Sequence, residues 1–181
     1  RILSLECALS GSMNAITCDL SQGATLSQAI MTACANKYME EDPRIDLLGI
    51  DFAQKLVVIA RQIGVAMAVE DVQITPLIPE KAIGTPNLDK LLMTTEEELE
   101  MKENIQEYEK TFQSLYAHGD DKVIRFAGCI NVEYSTTDTS KPFNNASRTI
   151  TRATATIAPK LISKDSPLYN VRGKEVLASF K

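Results

Sequence analysis

Only one histidine occurs in the chain, His118, so a Ser-His-Asp or Cys-His catalytic arrangement has little to build from. The four cysteines (Cys7, Cys18, Cys34, Cys129) form no Cys-x-x-Cys pair. That argues against a metal site or a disulfide framework and for free thiols in a reducing compartment. No Gly-x-Gly-x-x-Gly follows a strand; Gly11, Gly23, Gly49 and Gly64 stand alone, and no dinucleotide-binding turn is legible. The net charge of -5 comes without a dense Lys/Arg run, which speaks against nucleic acid and anionic membrane surfaces as partners. No apolar run is long enough to span a bilayer. Arg1-Ile2-Leu3-Ser4-Leu5 lacks an initiator Met and the features of a signal peptide, so the chain reads as a piece of something longer.

What is present suits a globular domain. The 181 residues, 44% hydrophobic and 24% charged, suffice for a single domain with a proper core. The pattern predicts a strand over Ile2–Leu9 and a helix running through Ile16–Leu20. The turn Ser10-Gly11-Ser12 can cap that helix, or alternatively offer backbone N–H groups to an anion. Thr25 and Gln28 can cap a second helix reaching Asn36. Strands are expected over Val72–Pro79, Lys122–Val132, Arg148–Ile157 and Glu175–Phe180. A long helix is expected over Thr94–Ala117 with His118 at its end, and a polar loop over Glu133–Ser147. Helices at the front and strands at the back imply an α+β fold: a mixed or mainly antiparallel sheet with helices packed on one face.

The chain is organised around Tyr38–Ile63. An acidic cluster (Glu40, Glu41, Asp42) and the turn Asp42-Pro43-Arg44 precede an apolar run with Asp46 as the expected N-cap and a helix over Leu47–Ile63. That run is apolar around most of its circumference, which predicts a buried helix. Asp51 and Lys55 are four apart and share a face. They are either a solvated ion pair or part of a polar stripe lining an active site, with Glu40 and Asp46 arriving from the preceding loop.

The sixteen positions Glu40-Glu41-Asp42-Pro43-Arg44-Ile45-Asp46-Leu47-Leu48-Gly49-Ile50-Asp51-Phe52-Ala53-Gln54-Lys55 resemble the substrate-site motif of homoserine dehydrogenase. In that family the motif reads Glu-Pro-Asp-Pro-Arg-Asp-Asp-Leu-x-Gly-x-Asp-Val-Ala-Arg-Lys. Departures are Glu41, Ile45, Phe52 and Gln54; the key acids and the lysine are kept. The segment Leu9–Asn14 is similar to the family's Ser-Gly-Thr/Ser element beside the substrate, with Ser12 and Asn14 at matching positions. Pro167–Gly173 resembles the family's Pro-Leu segment and its Val-x-Gly, although Val176 stands where an Asn is usual.

The resemblance implies that residues 1–181 are one substrate-binding, catalytic and dimerisation domain. The nucleotide-binding domain before it and the C-terminal return segment would be missing. The intact enzyme would interconvert aspartate β-semialdehyde and L-homoserine with NADP or NAD, in threonine, methionine and isoleucine biosynthesis. The family includes bifunctional enzymes with an aspartokinase domain upstream. Lys55 and Asp51 would be catalytic: Lys55 as proton donor and alkoxide stabiliser, Asp51 holding it. Glu40, Asp46, Tyr38 and Ser12 would bind the substrate, Glu40 through its ammonium. No cofactor on this piece, no metal, a homodimer and a cytoplasmic location are expected. The alternative is a non-catalytic dimerisation or regulatory module derived from the same domain.

Overall fold

The computed structural model describes residues 2–78, 110, 121–135 and 149–181. Apart from Lys110, the helix expected over Thr94–Ala117 lies outside the described residues, as do His118 and most of the loop Glu133–Ser147. The described elements in chain order are β1 (Ser4–Ala8), α1 (Gly11–Ser21), α2 (Leu26–Ala35), α3 (Pro43–Leu47), α4 (Ile50–Gln62), β2 (Val72–Ile74), β3 (Lys122–Tyr134), β4 (Ile150–Ser163) and β5 (Leu177–Phe180). The strands form one sheet in the order β2-β4-β3-β1-β5. β2 runs parallel to β4 and every other pair is antiparallel, so the sheet is mixed.

Alternation along the strands sorts the sheet into two faces. Leu5, Cys7, Ile124, Phe126, Ile130 and Ile157 point into the main core, shared with α1, α2 and α4. Ala8, Ala127 and Ile162 point the other way, where Leu168 and Val171 cover them from the 3-10 turn Pro167–Asn170. The regular helices therefore sit on one face, and one short turn closes a corner of the other.

Two expectations about the helices need correcting. The helix buried on nearly all sides is α1, not the central one. Ser12, Met13, Asn14, Ala15, Ile16, Thr17, Cys18 and Leu20 are all buried. Its polar residues are tolerated because they are bonded: the Thr17 hydroxyl returns to Met13 O at 2.9 Å, and Ser10 caps the helix by accepting from Met13 N. α4 buries only Phe52, Ala53, Leu56, Val57 and Ala60, leaving Ile50 and Val58 exposed. The run expected as one helix with Asp46 as N-cap is two. Asp42 caps α3 by accepting from Arg44 N, Pro43 opens it, and Gly49 separates it from α4. Gly49 adopts a left-handed φ of 74°, and a Cβ there would meet Phe126 at 3.2 Å.

α4 lies close on β3 because Gly128 has no side chain; a Cβ would come within 2.9 Å of Phe52. The Phe52 and Phe126 rings then meet edge to face, centroids 5.8 Å apart. β4 continues past Pro159, beyond the end expected at Ile157. Thr75 N donates to Ile157 O, so Pro159, two residues on, turns its missing N–H toward an edge where β2 has already ended. β2 itself stops at Ile74, short of the expected Pro79. Thr151, Arg152 and Thr154 of β4 are exposed while Ala155 and Ile157 are buried. No helix among the described residues is long and apolar enough to cross a membrane.

Candidate active site

The acidic stretch is anchored from behind. Asp46 is only 5% exposed, and both of its oxygens are engaged. Oδ1 accepts from Ser12 Oγ at 2.5 Å, and Oδ2 accepts from the backbone N–H of Glu40 at 2.9 Å. Ser12 is equally buried and also shares a 2.9 Å hydrogen bond with Ser10. One carboxylate thus joins the head of α1 to the loop carrying Glu40. A buried charge of this kind is tolerated because charge-assisted hydrogen bonds replace water. Asp46 and Ser12 stand behind the surface rather than lining it, since their polar atoms are occupied by each other and by the main chain.

The groups that face solvent differ. Glu40 is exposed, and its carboxylate has no ion-pair or hydrogen-bond partner among the described residues. On α4, Lys55 Nζ donates to Asp51 Oδ2 at 2.6 Å, with the side chains 49% and 27% exposed. No hydrogen bond among the described residues connects this pair to Asp46. Tyr38 is 37% exposed, and Lys174 Nζ lies 4.6 Å from its ring centroid. At the rim, Arg44 grips Asp42 through Nε and Nη2, and that hydrogen bonding holds the Asp42 carboxyl below its ordinary value.

Two further buried residues complete the surroundings: Asn14, already marked by the Leu9–Asn14 resemblance, and Arg125, which the sequence reading does not single out. Asn14, fully buried, donates to Glu175 O at 2.6 Å and ties the C-terminal segment to α1. Arg125, 1% exposed, donates to Ile124 O, Tyr169 O and Val171 O, which fixes the Pro167–Asn170 turn on β3. Burial lowers its pKa, because carbonyl dipoles replace only part of the lost hydration. An isolated Arg in an apolar strand pattern, Val123-Ile124-Arg125-Phe126-Ala127, was the available signal for a buried guanidinium.

The strand–glycine–helix turn at Gly11 is closed, since a Cβ there would lie 3.2 Å from Lys174 O. The flanking Ser10 and Ser12 hydroxyls bond each other. Among the described residues no group of three His, Cys, Asp or Glu could hold a metal ion. A separate groove of about 940 Å³ runs between residues 64–73 and 149–155, and none of the candidate site residues lines it.

Comparison with known proteins agrees with the motif reading. The family model described as homoserine dehydrogenase matches residues 1–181. A bifunctional aspartokinase/homoserine dehydrogenase of Haemophilus influenzae is 32% identical over 126 residues, covering 70% of this chain and 14% of that protein. A homoserine dehydrogenase of Schizosaccharomyces pombe is 30% identical over 132 residues, covering 67% of this chain and 32% of that protein. The chain thus spans well under half the length of these relatives. A solved structure of a putative homoserine dehydrogenase from Archaeoglobus fulgidus superposes with a TM-score of 0.60 at 23% identity, covering 99% of this chain and 41% of that one. The chain belongs to the homoserine dehydrogenase family.

Proposed function

We propose that this chain is the substrate-binding, catalytic and dimerisation domain of an enzyme that interconverts aspartate β-semialdehyde and L-homoserine. The observation carrying this reading is the solvent-facing Asp51–Lys55 ion pair on α4, with an exposed Glu40 held on its loop by the buried Asp46 of the same sixteen-residue motif. Glu40 accepts hydrogen bonds from the substrate ammonium. Lys55 donates a proton to, or stabilises, the oxygen that becomes an alkoxide, and Asp51 holds the lysine head group. Asp46 and Ser12 act through position: they fix the Glu40 backbone. NAD or NADP is the redox partner, bound mainly by residues other than those described here. The chain works in the cytoplasm, in the aspartate-derived pathway to threonine, methionine and isoleucine. Two copies associate through the sheet, whose β4 exposes Thr151, Arg152 and Thr154.

The second reading, a non-catalytic module, is favoured by the closed turn at Gly11 alone. Assay of the protein containing this chain, free of host enzyme, separates the two. Oxidation of L-homoserine with NAD or NADP is expected from the protein joined to its nucleotide domain and absent from residues 1–181 alone. No turnover with either cofactor would favour the module.

A further inference from the structure

We propose that Lys174 recognises the substrate carboxylate and so makes the site selective for an α-amino acid over a simple amino alcohol. This rests on the homoserine reading above. An α-amino acid presents three groups, and two already have partners: the ammonium at Glu40, the reacting oxygen at Lys55. The carboxylate needs a cation, and Lys55 is held by Asp51.

Lys174 has the required freedom and is held in the required place. Among the described residues no carboxylate lies within ion-pair reach of its ammonium. Its backbone is fixed by several independent contacts. At Gly11, beside Ser12, Lys174 packs closely: a Cβ there would lie 3.2 Å from Lys174 O. One residue on, Asn14 holds Glu175 O at 2.6 Å. The turn itself is closed by Glu175 N donating to Arg172 O and by Arg172 N donating to the Glu175 carboxylate at 2.8 Å. Gly173, with a φ of +51°, makes the tight bend. Arg125 clamps the carbonyls of Tyr169 and Val171 immediately upstream.

From this base the Lys174 side chain lays its ammonium over the Tyr38 ring, two residues from Glu40. The ring attracts the cation without neutralising it. An ammonium has three donors, so hydrogen bonds remain for a carboxylate. Glu40 and Lys174 then form a pair of opposite charges matched to the zwitterionic end of an amino acid.

The test is calorimetric titration of the intact protein containing this chain with L-homoserine and with propanolamine, which is homoserine without its carboxylate. The wild-type protein is expected to favour homoserine by about tenfold or more, the usual worth of a charge-assisted hydrogen bond. Lys174→Met should bring the two ligands to within about twofold by weakening homoserine alone, and Lys174→Arg should keep the preference. Thermal melts of both variants check that the turn survives. An unchanged preference in folded Lys174→Met, or an equal loss of both ligands, would overturn the role of Lys174. No homoserine binding by the wild-type intact protein, by contrast, would overturn the functional reading beneath it.

Discussion

Two acids of one motif, Asp46 six residues from Glu40 and Asp51 four from Lys55, are held in opposite ways. Asp46 is buried, bonded through both oxygens, and joins α1 to the Glu40 loop. Asp51 lies on the half-exposed side of α4 and holds only Lys55. The first is architecture: its carboxylate cannot reach a ligand without breaking bonds that no water would replace. The second is chemistry in the proposed reading: an exposed pair gains little in stability, and its lysine head group is open to solvent.

Stability measurements can break this contrast. Asp46→Ala strips partners from a buried Ser12 hydroxyl and from the Glu40 N–H, and should cost about 2–4 kcal/mol in urea denaturation. Asp51→Ala leaves Lys55 able to hydrate and should cost less than about 1 kcal/mol. Equal losses would mean that the two acids are not divided into frame and chemistry. Next in size, Glu40→Gln in the intact enzyme should raise KM for homoserine about tenfold with little change in kcat, because the substrate ammonium keeps its charge throughout the reaction. A drop in kcat at constant KM would move Glu40 into the chemical step.

The smallest effect belongs to Asp42. Arg44 lowers its folded pKa below the ordinary 3.8, so its contribution is fully present above that value and fades as pH falls through the folded pKa. A melting-temperature profile should therefore lose this contribution only in acid, below about pH 4. Asp42→Asn should flatten that part of the profile. A variant curve parallel to wild type throughout would show that the rim ion pair does nothing for α3.

The candidate site is legible in sequence because its motif is contiguous. Glu40, Asp46, Asp51 and Lys55 fall within sixteen residues, and local spacing places them on one loop and two successive helices. The capping box at Thr25 and Gln28 was equally local, and both of its hydrogen bonds are present. What escaped depended on distance along the chain. Asn14 meets Glu175 across 161 residues, and Lys174 reaches Tyr38 through that tie, which no spacing rule reveals. Burial was also misjudged between helices. Counting apolar residues favoured the central run, yet α1, with Ser12, Asn14 and Thr17, lies deeper because its polar groups bond inward. Asp46 was assigned the cap because it precedes the apolar run, whereas Pro43 suits the first position of a helix and shifts the cap to Asp42.

Lys55→Ala in the intact enzyme shows whether the solvent-facing pair does the chemistry. An ammonium beside the reacting oxygen gains most when that oxygen becomes an alkoxide. Turnover should fall by about 10²–10⁴-fold, with KM nearly constant. The melting temperature should stay close to wild type, because the Lys55–Asp51 pair is half exposed. A folded Lys55→Ala enzyme with near-normal turnover would contradict the account and leave Lys55 as no more than the ion-pair partner of Asp51.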